Sequence, residues 1–304
     1  MSTSTTTTID NIVSPLEIEG RPVFDLYRDV PEADWERAAA MIPEPVEGFI
    51  DREIFGQSGM QHLIDAIVLN ENVMVTGDAG SGKSTLFEAL AGELQVPLNR
   101  VDCSPTMSWP DLMGRSTVAG LMTDTDDVQG YRMNDTMFAF TIPSIVLFDE
   151  INRMDPAADT ETMAVTSEAR VVSVPESDMP RFRAKTLLFG ATSNPDTYAG
   201  TFQVDEAVSR RYIKLPWGYD RDTEEQLIGS PTLINVAWAI RGHANIRTIL
   251  PTSTLLRFQK RVRYQGHAEA ALGLLLEDFS GLEREVIETT LDGRMPIIVD
   301  ELTS

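Results

Sequence analysis

Residues 72–85 read NVMVTGDAGSGKST: an apolar run, a glycine-rich turn and the opening of a helical pattern. Within it, Gly77-Asp78-Ala79-Gly80-Ser81-Gly82-Lys83-Ser84 fits G-x-x-x-x-G-K-[ST] without a mismatch, and Thr85 follows at once. The flanks are the ones the motif requires, a buried strand before it and a helix after it. Glycines let successive backbone N–H groups turn inward around phosphate oxygens. The helix start adds its partial positive charge. Lys83 is placed to neutralise β and γ phosphates, and the Ser84 hydroxyl to bind Mg²⁺. The expected ligands are therefore ATP and Mg²⁺.

Working outward, residues 83–94 carry Leu86, Ala89, Leu90 and Leu94 at helical spacing. Residues 96–103, 144–148, 186–192 and 211–215 read as further strands. SIVLF (144–148) is a continuous apolar run of the kind buried on both faces. Strands separated by helical segments predict an α/β fold, a P-loop NTPase parallel sheet flanked by helices. After Pro216 the strands stop. Residues 223–228, 232–244, 252–262, 269–278 and 283–291 suit helices and predict a small C-terminal helical lid. The expected organisation is a disordered Ser/Thr-rich tail over 1–15, a lead-in over 16–50 with a helix at 31–41, an α/β domain over 51–217, and the lid over 218–304.

Three further elements join the phosphate loop. The strand 145–148 ends in Asp149-Glu150, and open α/β sheets bind ligands at their carboxyl edge. Asp149 is read as a Mg²⁺ ligand and Glu150 as the group that polarises an attacking water. The strand 187–192 ends in Ser193-Asn194-Pro195. Asn194 either orients that water through its amide or is an Asn-Pro turn residue. Ser209-Arg210-Arg211-Tyr212 offers two arginines. Arginine suits bidentate phosphate contact, and an ordinary surface pair is the equal alternative.

Composition bounds the rest. The 304 residues are 42% hydrophobic and 24% charged, which excludes a wholly disordered chain. The net charge of −22 makes generic nucleic-acid binding a poor expectation, because phosphate contacts need a cationic face. Arg241, Arg247, Arg257, Arg261 and Arg263 are read as surface cations paired with the abundant acids. One cysteine, Cys103, precludes an intrachain disulfide and fits a reducing cytoplasm. No apolar run of about 18 residues predicts a membrane span.

Taken in order, these elements resemble the AAA+ ATPases, and most closely their MoxR, CbbQ/NorQ and CobS branch, with its dynein-like relatives. FDEINRMDP (148–156), ATSNPDTYAGTFQVDEAVSRRY (191–212), CSPTMSWPDLMGR (103–115) and the start from FIDREIF (49–55) to the phosphate loop carry the likeness, over roughly 43–262. It implies a homo-oligomeric ring, commonly a hexamer, with ATP at subunit interfaces. Lys83, Ser84, Asp149, Glu150 and Asn194 would act in cis. Arg211 would be the finger given in trans, with Arg210 the near alternative. Residues 116–133 resemble the branch's helix-2 hairpin and 170–185 its hairpin before sensor 1. Leu255 falls where the lid of such relatives often has an arginine. The implied function is an ATP-hydrolysing subunit that remodels or activates a protein client, with a von Willebrand factor A domain protein as partner. The alternatives are the ATPase subunit of a cobalt or magnesium chelatase and a nucleotide-gated assembly protein with little turnover.

Overall fold

The computed structural model describes residues 12–116, 131–155, 162, 165–167, 171–173, 180–195, 200–291 and 293–304. They fall into two compact units. One combines the chain up to Thr76 with Lys83–Pro216; the other combines Gly77–Gly82 with Trp217–Ser304.

The first unit is built on five strands: β1 (Asn72–Thr76), β2 (Leu98–Asp102), β3 (Ser144–Asp149), β4 (Leu187–Ser193) and β5 (Tyr212–Pro216). All are parallel, in the order β5-β1-β4-β3-β2. Every residue of β3 and β4 is buried, as central parallel strands require when helices cover both faces. Helices α1 (Gly59–Leu69), α2 (Lys83–Leu94) and α3 (Asp135–Thr141) supply that cover. Ser58 caps α1 by accepting from the Gln61 N–H (3.1 Å), and Asn134 caps α3 by accepting from that of Met137 (2.9 Å). α2 packs closely on β4 because residue 190 is glycine: a Cβ there would overlap the Phe87 ring. Stacked Phe148 and Phe189, 6.1 Å apart, lie in the core.

The fold class expected of the sequence is the one observed, and α2 has the limits read from its periodicity. β2 is shorter than the expected 96–103. The Val96 N–H instead closes α2 on the Ala91 carbonyl, and Pro97 has no N–H for a ladder. The helix expected over 31–41 forms as a 3₁₀ turn, Glu32–Asp34, running into Trp35–Ala40. The lead-in is fastened to the sheet unit by the Leu98 N–H on the Met41 carbonyl (2.8 Å) and by Arg37 paired with Asp135 (2.8 Å). Residues 12–15, expected within the disordered tail, are instead held: the Ser14 N–H donates to the Phe24 carbonyl, and Val13 bridges Asp25. The rest of that tail lies outside the described residues. Both expected hairpins have paired bases, Gly114–Ser116 with Tyr131–Met133 and Val171–Val172 with Arg181–Phe182. Their tips, including TDTDD at 123–127, lie outside the described residues.

The second unit is helical: α4 (Arg221–Leu227), α5 (Pro231–Arg241), α6 (Thr252–Gln265), α7 (Glu269–Leu275), α8 (Gly281–Leu291) and α9 (Met295–Thr303). Leu255, Phe258, Val262, Leu275, Ile287 and Ile298 fill its core. A buried ion pair sits inside it. Arg241 reaches both oxygens of Glu224 at 2.8 Å, and Trp238 and Thr252 add hydrogen bonds of 2.8 and 2.5 Å. Burial works against the Glu224 charge. Arg241, Thr252 and Trp238 outweigh it and hold the carboxyl below the usual glutamate range. Among the described residues no helix is long and apolar enough to cross a membrane.

Candidate functional site

Parallel strands deliver their last residues to one edge of the sheet, and Lys83, Ser84, Asp149, Glu150 and Asn194 meet there. Ser84, in the first turn of α2, donates to Asp149 Oδ1 at 2.6 Å. Lys83, itself buried, donates through Nζ to Asn194 Oδ1 at 2.8 Å. Asn194 Nδ2 donates in turn to Glu150 Oε1 at 2.9 Å. The amide can face only this way, since an ammonium has no lone pair to offer and a carboxylate no proton. Lys83–Asn194–Glu150 and Ser84–Asp149 are thus two hydrogen-bonded groups of one polar site, with Asp149 5% and Asn194 4% exposed.

Four side chains not singled out in the sequence complete it. Thr192, on β4, donates to Asp149 Oδ1 (2.5 Å) and accepts from the Glu150 N–H (2.7 Å). One hydroxyl thus fixes both acids, and helps hold Glu150 at φ 54°, a left-handed conformation that turns the chain sharply off β3. Arg153 pairs with Glu150 Oε2 at 2.6 Å. Asn152 donates to the Asn194 carbonyl at 2.9 Å. Arg100, on β2, pairs with Asp149 Oδ2 at 2.6 Å and also contacts Asp102 (2.9 Å) and Glu88 (3.1 Å). Partial burial opposes the Arg100 charge, yet the carboxylates of Asp149, Asp102 and Glu88 raise its pKa further above the usual arginine range. The available signal for Thr192 and Arg100 was position, each within two residues of a strand's carboxyl end.

Arg210 and Arg211 are not part of this set. They precede β5 at the opposite, amino edge of the sheet, where Tyr212 pairs with Asn72. A five-residue strand separates the edges by roughly 16 Å. Arg210 pairs with Glu206, and Arg211 donates to the Ala207 carbonyl at 2.9 Å. Buried Asn72 donates to the Arg211 carbonyl (3.1 Å), tying it to the start of β1. A cavity of about 580 Å³ opens there, lined by Asn72, Arg183, Arg210 and Arg211.

The loop Gly77–Gly82 belongs to the second unit, where its carbonyls are fixed. Trp217 Nε1 donates to the Ser81 carbonyl (3.1 Å) and Tyr219 Oη to that of Ala79 (2.7 Å). Ser81 Oγ donates to the carbonyls of Asp78 and Trp217, both at 2.8 Å. Gly80 has φ 67°, and a Cβ there would meet Ser253 Oγ at 2.5 Å and Pro251 Cβ at 2.7 Å. Glycine is required on both counts. Leu255 points into the helical core at 0% exposure. Arg257, two residues on, donates to Thr254 Oγ1 at 3.2 Å.

The chain is similar to several known proteins. Residues 72–214 match the model of the ATPase family associated with various cellular activities (AAA). An uncharacterized protein of Staphylococcus aureus strain USA300 is 24% identical over 74% of this chain and 84% of its own length. One from strain NCTC 8325 is 24% identical over 60% of this chain and 70% of its own. Among solved structures, a provisionally assigned ATPase of Cytophaga hutchinsonii is 16% identical over 80% of this chain and 78% of that chain, with a TM-score of 0.42. NtrX of Brucella abortus, in complex with ADP, is 12% identical over 76% of this chain and 46% of that chain, also at 0.42.

Proposed function

We propose that the chain is an ATP-hydrolysing ring subunit of the MoxR, CbbQ/NorQ and CobS-like branch, which remodels or activates a protein partner. The observation that carries this reading is the hydrogen-bonded chain Lys83–Asn194–Glu150 beside Ser84–Asp149. Two consecutive hydrogen bonds join the residues that this reading makes phosphate-binding cation, water-orienting amide and general base.

The oxygens present suit Mg²⁺. Ser84 Oγ and Asp149 Oδ1 are hard donors already 2.6 Å apart, and no group of three or more His, Cys, Asp or Glu competes among the described residues. Mg²⁺ is commonly held by one or two protein oxygens plus nucleotide phosphates. When bound it would neutralise charge on those phosphates. The protein's own part is then specific. Lys83 turns from Asn194 to the terminal phosphates. Asn194 keeps its amide N–H on Glu150 and so aims the carboxylate at the attacking water. Glu150 accepts the water's proton. Arg211, at the far edge of the sheet, serves the nucleotide of a neighbouring copy.

A nucleotide-gated assembly protein with little turnover is the second reading. Leu255 favours it, since no guanidinium stands at that position of the lid to sense the γ-phosphate.

Steady-state ATP hydrolysis across a protein concentration series decides between them, with Lys83→Ala and Glu150→Gln alongside. Specific activity that rises with concentration, together with loss of binding in the lysine variant and of turnover alone in the glutamate variant, supports the ATPase reading. Tight ATP binding with no turnover at any concentration rejects it in favour of the second. Unchanged ATP affinity in Lys83→Ala rejects the phosphate-loop assignment itself.

A further inference from the structure

Helix α6 carries Arg257, Lys260, Arg261 and Arg263 and no acidic residue, in a chain of net charge −22. The arginines of 241–263 are expected as surface cations paired with acids; the pairing holds for Arg241 on Glu224, but that pair is buried, not at the surface. It fails on α6. Arg263 donates to the Leu302 carbonyl, and Arg257 makes its bond to the Thr254 hydroxyl. Among the described residues, Arg257, Lys260 and Arg261 form no ion pair.

Positions 257, 260, 261 and 264 follow the i, i+3, i+4, i+7 rule and share one helix face. All four side chains are exposed, Tyr264 to 90%. Beside them, between α6 and α7, lies a groove of about 570 Å³ with Phe258 and Leu275 in its floor. Leu274 borders it at 44% exposure. Scattered exposed apolar side chains are ordinary. An exposed leucine and tyrosine on one groove, rimmed by three cations that outnumber its one acid, Glu277, have the composition of a helix-in-groove site.

We propose that this groove docks an amphipathic segment of a separate protein. Its apolar side would enter between α6 and α7, and its acidic flank would meet Arg257, Lys260 and Arg261. Charge and shape favour this occupant over a nucleic acid. A nucleic acid is a uniform line of negative charge. Along its length it would meet Glu277, which also lines the groove. A short segment with a few acids on one flank engages the three cations locally, since charges more than about 8 Å away are screened at physiological salt. It also gives the apolar floor something to bury.

The inference is independent of the nucleotide chemistry assigned to Lys83. The test uses the full chain and three fluorescein-labelled probes read by anisotropy. One is a helical peptide with leucines at i, i+3, i+4, i+7 and a glutamate flank; the second replaces those glutamates by lysine; the third is a single-stranded DNA oligonucleotide. The glutamate peptide is expected to bind saturably, to weaken with salt, and to lose at least about tenfold in affinity with Lys260→Glu/Arg261→Glu and, separately, with Leu274→Asp. Equal binding of the two peptides, or unchanged binding in both variants, overturns the proposal. Tighter binding of the DNA, lost on charge reversal, would assign the face to nucleic acid and also overturn it. So would a fall in oligomer mass on charge reversal, which would make the face a contact between copies.

Discussion

Asp149 is the proposed metal ligand, yet its second oxygen is already held by a cation of the chain itself, Arg100 at 2.6 Å. Metal binding should then be a competition. Its size follows from exposure. The Arg100 contacts to Asp102 and Glu88, with acid side chains 80% and 33% exposed, are surface pairs worth about 0–1 kcal/mol at most. The Asp149 carboxylate is only 6% exposed, so its bond lies in the charge-assisted class of about 1.5–3 kcal/mol. Arg100 is itself 44% exposed, and solvent screening reduces the figure to about 1–2 kcal/mol. At 1.4 kcal/mol per factor of ten, that is about 5- to 30-fold in an equilibrium constant. Arg100→Met keeps the length of the side chain and removes the competitor. Mn²⁺ binding to nucleotide-free protein, read by electron paramagnetic resonance, should therefore tighten about 5- to 30-fold in Arg100→Met and vanish in Arg100→Met/Asp149→Asn. Equal Mn²⁺ affinity in wild type and Arg100→Met would refute the competition. Weaker binding in the variant would show that Arg100 orders the carboxylate for the metal.

Arg211→Ala should leave nucleotide affinity nearly intact and cut turnover by about 10³-fold, the scale of a lost arginine finger; mixing with Lys83→Ala subunits, which keep their arginine, should restore part of it. If Arg210→Ala behaves this way and Arg211→Ala does not, the assignment is off by one residue. Arg241→Ala strands the Glu224 carboxylate at 1% side-chain exposure and should destabilise the helical unit by about 3–5 kcal/mol in thermal or urea unfolding; a loss below 1 kcal/mol would contradict the buried pairing. The same pair sets a pH dependence. The folded-state pKa of Glu224 is lowered, so its contribution is present above the unfolded glutamate range and is lost as pH falls through the lower folded value. Wild-type unfolding followed from neutral to acid pH should show that loss, and Glu224→Gln/Arg241→Met should flatten it.

What the sequence made legible is what local pattern controls. Continuous apolar runs marked β1, β3 and β4, because a strand buried on both faces tolerates little else. The phosphate loop was legible because its glycines and its flanking elements are one contiguous stretch. Strand order was not, and it decides the remaining site. Only because β2 and β4 flank β3 do residues 100, 149 and 192 become neighbours, and no local signal in 98–102 announces which strand lies beside it. For the same reason Arg100 reads in the sequence as one more surface cation. α9 was missed for a different reason. It is short and terminal, and its second residue is Pro296, which a helix tolerates only in its first turn; buried Ile298 and Leu302, four residues apart, were the available signal.

The bonding of the two acids bears on how the site would work. Both oxygens of Asp149 and both of Glu150 have partners in this structure: Ser84, Thr192 and Arg100 on one acid, Asn194 and Arg153 on the other. On the proposed reading, loading the site is therefore an exchange of partners, not an addition to empty groups. Lys83 has to leave Asn194 and Arg100 has to leave Asp149, while the Asn194 bond to Glu150 persists. Thr192 touches both acids and has no charge to lose in the exchange. Its two bonds can hold the spacing of Asp149 and Glu150 while the cations around them change. Buried polar groups that keep their partners stay in place, and those that lose them must be repaid by the ligand. The selectivity of such a site would come from that requirement: a ligand that brings both a terminal phosphate for Lys83 and a cation for Asp149 satisfies both groups at once, and one that brings either alone leaves the other in its resting pair.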